Sequence, residues 1–352
     1  MTGPVVVIKI AAMGDFLMAT PAFKALAATG MRVIAVVGRS IEPVARRNPD
    51  IAELIVADDR AIFHGSSLRK GREVLRLARE IRRHRPEFGI NFHRDWRYSV
   101  ILALAGVPVR IGFANRGDRL LNRPVAVEGI AHHVFQYARL SMAAGAVPAS
   151  YRLVFPLSAA ERQAAKDRLP ERPDVTDGRW VALAPGGAAN VKETMASRRW
   201  PAQEFAELAR CLERRGLGVV VVGGAGDASL GRTIVAASPA AVDLCGQTSV
   251  AEAAAILANS ALAVSNDSGL MHLAAATGIP VVALFGPTHP AEKRPLTEGS
   301  VVLWKGETMD CAPCYTDGVF PDCREVSCLR SISPAEVEEA ALKALGSAPA
   351  MV

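Results

Sequence analysis

The run Ser265-Asn266-Asp267-Ser268-Gly269-Leu270-Met271-His272-Leu273-Ala274-Ala275-Ala276 carries the side chains best placed for chemistry. It follows the apolar stretch Ala261–Val264, which reads as a buried strand, and leads into an alanine-rich helix pattern that stops at Gly278 before Pro280. An Asp-Ser-Gly turn at a helix start presents backbone N–H groups without intrahelical partners at the positive end of the helix dipole, an anion site. A plain N-cap role for Asp267 or Ser268 explains the same residues. For the turn alone, the N-cap is the commoner use of such residues and the preferred reading.

Other segments offer chemistry of the same kind. Pro185-Gly186-Gly187 follows a strand and lets a ligand approach the backbone. Beyond it, Lys192 and Arg198-Arg199-Trp200-Pro201 lead into a helix; cations near a Gly-rich turn form a phosphate clamp, or else an ordinary solvated loop. Gly14-Asp15 closes the first strand, where Asp15 either caps the next helix or acts as general base on a hydroxyl in the cleft between two facing halves. Cys311-Ala-Pro-Cys314, Cys323 and Cys328 are compatible with a tetrathiolate Zn or Fe site, the alternative being a reduced surface loop.

Several reaction classes are excluded. Gly223-Gly224-Ala225-Gly226-Asp227 lacks the third glycine of the dinucleotide fingerprint, since Ser stands at 229. There is no Gly-Lys-Ser/Thr, no His-Glu-x-x-His and no Asp-x-Asp pair.

The elements that must position these residues alternate along the chain. Strand patterns at Val5–Ile10, Arg32–Val37, Leu54–Val56, Gly89–Phe92 and Val109–Gly112 are separated by helix patterns. The rhythm restarts at Trp180–Ala184, Gly218–Gly223, Val242–Cys245, Ala261–Val264 and Val281–Phe285. Apolar strand runs without period-two alternation indicate doubly wound parallel α/β sheets. No element is assigned between Gly112 and Val147. A Pro-rich connection over Val147–Gly178 contains a helix at Ala159–Arg168, and Pro334–Leu345 forms a last helix behind Ser333. The domains expected are 1–165 and 166–335, with 336–352 as terminal helix and tail.

The 352 residues suffice for two cores, and no apolar run reaches bilayer-spanning length. The start has no basic n-region, so a cytoplasmic protein is expected, and six cysteines then form no disulfide framework. The net charge is +6, with ten Lys/Arg against four acidic residues between Arg69 and Arg97. That run is a solvated helix face or a surface for an anionic partner. No stacking aromatics are interleaved at the spacing expected of a single-strand nucleic-acid platform, so a nucleic acid is disfavoured and a phosphorylated membrane-associated substrate fits better.

Taken in order, Ile8-Lys9-Ile10 through Gly14-Asp15 to Thr20-Pro21-Ala22, Gly106-Val-Pro-Val-Arg110-Ile-Gly112, His132, Ala184-Pro-Gly186-Gly187, Arg198-Arg-Trp200-Pro201, Asp267 to His272 and Phe285-Gly286-Pro287-Thr288 resemble glycosyltransferase family nine, the heptosyltransferases of lipopolysaccharide core assembly. The resemblance spans nearly the whole chain. It implies a GT-B fold, an N-terminal acceptor domain and a C-terminal nucleotide-sugar domain. It also implies metal-independent, inverting transfer from a nucleotide-diphospho-sugar, typically ADP-heptose, to an anionic lipid-linked saccharide at the inner membrane. No cofactor would be required.

By matching positions, Asp15 would be the base. Gly186, Gly187, Lys192, Arg198, Asp267, Ser268, Gly269 and His272 would bind the donor, and Gly14, Arg94 and Arg97 the acceptor. Arg198 stands where the family commonly carries Lys, and Lys293-Arg294 where many relatives carry Trp. Related protein heptosyltransferases imply iron at the cysteines. The competing expectations are a relative with another donor or a protein acceptor, a sugar-nucleotide epimerase, and a nucleotide-sugar- or metal-binding module without turnover.

Overall fold

The computed structural model describes residues 3–114, 119–187, 195–315 and 323–347. Among these, the chain forms two compact units that change over between Pro156 and Leu157.

The first unit runs β1 (Pro4–Ile8), α1 (Met13–Ala28), β2 (Arg32–Gly38), α2 (Glu42–Ala45), β3 (Glu53–Ala57), α3 (Asp59–His64), α4 (Ser67–Arg83), β4 (Phe88–Asn91), α5 (Arg97–Leu104), β5 (Val109–Phe113), β6 (Arg123–Val125) and α6 (His133–Ala143). All strand pairs are parallel, in the order β3-β2-β1-β4-β5-β6. Val5, Val6, Val7 and Ile8 are fully buried, as expected of a central strand covered on both faces. Against the sheet, α1 buries Phe16, Leu17, Phe23 and Leu26, and it packs on α6. Phe92 joins the two helices, its ring 5.4 Å from Phe23 and 5.6 Å from Tyr137.

The second unit runs α7 (Ala159–Lys166), β7 (Trp180–Ala184), α8 (Ala202–Arg214), β8 (Gly218–Val221), α9 (Ala228–Ala237), β9 (Val242–Asp243), α10 (Val250–Ala258), β10 (Leu262–Asn266), α11 (Gly269–Thr277), β11 (Val281–Phe285), α12 (Pro290–Lys293), β12 (Val301–Trp304), α13 (Ser327–Arg330) and α14 (Pro334–Ser347). Its sheet is again parallel, β12-β11-β10-β7-β8-β9. Relabelled from its own first strand, this is the order of the first unit, so both are Rossmann-like.

The unit change falls ahead of α7 rather than inside it, because a Ser158–Glu161 capping box starts α7 and α7 packs on α10. Asn259 Nδ2 at the end of α10 also donates to Arg162 O at 2.9 Å. Likewise α14 packs on α8, and Trp200 beneath it donates from Nε1 to Ile332 O at 2.9 Å. No described helix is long and apolar enough to cross a membrane.

Candidate functional site

In the second unit the strand order reverses between β7 and β10, the position at which open parallel sheets receive ligands. Pro185-Gly186-Gly187 leaves β7, while Asp267 and Ser268 lead from β10 into α11. Asn266 ties the two strand ends together: its Nδ2 donates to Pro185 O at 2.8 Å and its Oδ1 accepts from the Trp200 N–H at 2.9 Å. Both glycines are dictated by space. A Cβ on Gly186 would sit 2.0 Å from Asp227 Cγ, and Gly187, at φ +83°, would press on Ser268 Cβ at 2.4 Å.

Asp267 is buried there, and its Oδ2 receives the Arg198 guanidinium at 2.6 Å and the Thr288 hydroxyl at 2.6 Å. Among the described residues Oδ1 is buried without a hydrogen-bond partner. Burial pushes the carboxyl up, but Arg198, Lys293, the Thr288 hydroxyl and His272 together outweigh it and hold it below the usual carboxylate range. Arg199 donates from Nε and Nη2 to Gly187 O at 3.0 and 2.8 Å, and approaches Asp227 Oδ1 at 3.6 Å. The turn therefore has one arginine on its carboxylate and one on its glycine carbonyl. Ser268 is the N-cap of α11 yet makes no side-chain capping bond; its Oγ lies 3.4 Å from Ser265 Oγ. The plain N-cap reading is not met, and α11 starts with the positive end of its dipole uncapped by a side chain. His272 is buried one turn into α11.

The matching reversal in the first unit lies between β1 and β4. Asp15 stands in the first turn of α1 beside the buried Gly14, but the N-cap is Ala12, so capping does not explain the carboxylate. One oxygen of Asp15 faces Lys9 Nζ at 3.5 Å and the other His133 Nδ1 at 3.6 Å. Buried Lys9 also donates to the Tyr137 hydroxyl at 3.1 Å. His93, after β4, accepts the Ile10 N–H at 2.9 Å and stacks on Tyr98 with ring centroids 4.1 Å apart. Arg94 donates to Gln136 Oε1 at 2.8 Å, so α6 touches both Asp15 and Arg94. Arg97 instead turns outward onto Asp95 at 2.5 Å.

Lys192 lies outside the described residues. The cysteines differ in burial: Cys311 and Cys323 are exposed, Cys314 is half-buried and Cys328 is buried. Among the described residues no group of three or more His, Cys, Asp or Glu side chains is arranged to hold an ion. Burial, with the neighbouring thiols adding, pushes Cys314 and Cys328 towards the neutral thiol. The described residues thus do not support the Zn or Fe expectation.

Sequence reading missed Lys9, His133, Tyr137, Asp227, Asn266 and Thr288 as site residues. Lys9, Asp227, Asn266 and Thr288 lie within motifs that the sequence singles out, but their own roles follow only from long-range contacts, and no local signal pointed to His133 or Tyr137.

The sequence profile of glycosyltransferase family 9 (heptosyltransferase) matches residues 74–319. Lipooligosaccharide heptosyltransferase 2 of Haemophilus influenzae is 39% identical over 112 residues, which is 30% of this chain and 32% of that protein. The chain thus spans about a third of that relative's length. Lipopolysaccharide heptosyltransferase 2 of Escherichia coli K12 is 29% identical over 313 residues, 83% of this chain and 85% of that protein. The solved structure of E. coli ADP-heptose lps heptosyltransferase II shares the fold, with a TM-score of 0.75 at 24% identity over 97% of this chain and 98% of that one. With the family profile covering more than half of its length, and with the GT-B fold of such a structure, the chain belongs to glycosyltransferase family 9 (heptosyltransferase) and is a glycosyltransferase.

Proposed function

We propose that the chain moves a heptose from ADP-heptose to an anionic, lipid-linked saccharide, the Kdo/heptose–lipid A precursor of the lipopolysaccharide core, at the cytoplasmic face of the inner membrane. The observation carrying this reading is the second unit's switch point. It pairs the start of α11 with Arg198 and a glycine turn too tight for any Cβ, which suits a diphosphate. Support for ADP and heptose comes from the names of the similar proteins.

In this reading Gly186, Gly187, Arg198, Ser268 and Gly269 hold the donor, with Lys192 contributing from its own segment. Asp267 keeps Arg198 in place and His272 packs beneath the turn. Asp15 takes the proton of the acceptor hydroxyl, whose oxygen attacks the anomeric carbon as the bond to ADP breaks. The bond's electron pair leaves on the diphosphate, and attack from the opposite face inverts the centre. Lys9 and His133 fix the orientation of the carboxylate. Arg94 and Arg97 meet the acceptor's acidic groups by giving up Gln136 and Asp95.

The test is product analysis by mass spectrometry after incubation with ADP-heptose and a Kdo–lipid A acceptor. A heptose-extended acceptor with equimolar ADP is expected. Turnover with a UDP- or GDP-sugar only, or an altered sugar released without acceptor, would overturn the donor or the reaction.

A further inference from the structure

The basic helix α4 has two faces of different character. Inward, Glu73, Leu77, Ala78 and Ile81 are buried. Outward, Leu68, Arg72, Leu75, Arg79 and Arg82 follow one another at spacings of four, three, four and three, which places them in one row on the helix. Leu68 is 64% exposed and Leu75 45%. Single exposed leucines need no explanation; two in one row between arginines, at the far side from the core-packing stripe, do. The row spans roughly 21 Å at 1.5 Å per residue. At its end Arg82 donates to the carbonyls of Leu104 and Ala105, bringing in Leu104, which is 41% exposed.

Charge on this face is one-sided. The acidic residues of α4, Glu73 and Glu80, are both taken by Arg76. Arg69, Arg72 and Arg79 form no ion pair among the described residues. Beside the row, α3 and α4 line an open cavity of about 680 Å³ that carries Arg60, Arg69 and Arg72 together with the paired Arg76. Its acidic members are Asp58, which caps α3, and Glu73, which neutralises Arg76, so its unpaired positive charge comes from residues such as Arg69 and Arg72.

We propose that this face of α4, with the α3–α4 cavity, docks the protein on an anionic lipid bilayer. Leu68 and Leu75 enter the headgroup–acyl boundary while Arg69, Arg72 and Arg79 meet lipid phosphates, and the cavity accepts a headgroup. Apolar side chains flanked by unneutralised arginines are what an interfacial helix requires, and a purely aqueous partner would leave the leucines without a role. The inference deepens the lipid-linked acceptor reading but does not depend on turnover.

The test is flotation of the full chain with phosphatidylcholine vesicles, with and without phosphatidylglycerol, in the absence of donor and acceptor. Binding to the anionic vesicles alone is expected, weakened by salt. Arg72→Gln and Arg79→Gln should each weaken it roughly fivefold, since one basic residue near an anionic surface is worth about a factor of five. The double variant Leu68→Glu/Leu75→Glu should abolish it with an unchanged melting temperature, because neither side chain packs in the core. No phosphatidylglycerol-dependent binding, or binding that survives the double variant, overturns the proposal. So does a change of oligomeric mass in that variant, or retention of an RNA oligomer, without vesicle binding. A failed transfer assay with intact vesicle binding would instead fault only the enzymatic reading.

Discussion

The two units run their sheets in the same order and place an aspartate where that order reverses, yet they treat the carboxylate in opposite ways. Asp15 keeps 31% of its side chain exposed, with Lys9 and His133 standing off at 3.5 and 3.6 Å. Asp267 keeps 3%, clasped at 2.6 Å by both Arg198 and Thr288. A buried carboxylate whose cations outweigh its desolvation stays charged and cannot take up a proton near neutral pH. A half-exposed one with loose partners can exchange a proton with a substrate hydroxyl. One topology thus holds a clasped, buried carboxylate in one unit and a more exposed, loosely partnered one in the other, the difference on which the proposed base role of Asp15 rests.

The largest effect that tests this contrast is on rate. Asp15→Asn should lower transfer by about a thousandfold or more, towards the upper end of what a general base contributes, with little change in melting temperature. Initial rates of ADP release alongside thermal unfolding would check it; a fast, well-folded Asp15→Asn enzyme would erase the distinction.

Asp267→Asn should do the reverse to stability. It strands the Arg198 guanidinium in the interior, and breaking one side of a buried pair costs about 3–5 kcal/mol, readable by urea unfolding. An unfolding midpoint equal to that of the parent would mean the clasp is not structural.

Gly187→Ala should cost about 1–2 kcal/mol from the left-handed backbone alone, and the contact with Ser268 adds to it. Gly71→Ala, on α4 where a Cβ meets open space, is the control and should stabilise slightly. A larger loss at Gly71 would contradict the geometry.

The smallest effect is on pH dependence. Because the folded Asp267 carboxyl lies below its unfolded value, its contribution is fully present above the ordinary carboxylate pKa, about 3.9, and is lost as pH falls below it. The stability difference between the parent and Asp267→Asn should stay constant from neutrality to about pH 5 and narrow only at more acidic pH. Narrowing near pH 6 would place the carboxyl on the wrong side of its usual range.

Legibility in the sequence followed burial. Strands covered on both faces, such as Val5–Ile8 and Val281–Phe285, announce themselves as unbroken apolar runs. The Asp267–His272 turn was visible because a strand, a turn and a helix pattern abut there. The segment holding β6 and α6 was not, because α6 buries Gln136 and Ser141 along with Tyr137 and Leu140 and so breaks the apolar period. With α6 unseen, His133 and Tyr137 could not be placed beside Lys9 and Asp15. Long-range partners such as Thr288 for Asp267 arise from parallel pairing of β10 with β11, which local sequence does not encode. The cysteine spacing left the metal question open for a related reason: spacing says nothing of the unequal exposure that sets Cys328 apart from Cys311.

The division of labour between the two switch points is tested most directly by calorimetric titration of ADP into the parent, Asp15→Asn and Arg198→Gln. Unchanged affinity in Asp15→Asn, with a loss of about tenfold or more in Arg198→Gln, is the expected result, a charge-assisted contact being worth about 1.5–3 kcal/mol. Loss of ADP binding in Asp15→Asn, or full retention in Arg198→Gln, would contradict it.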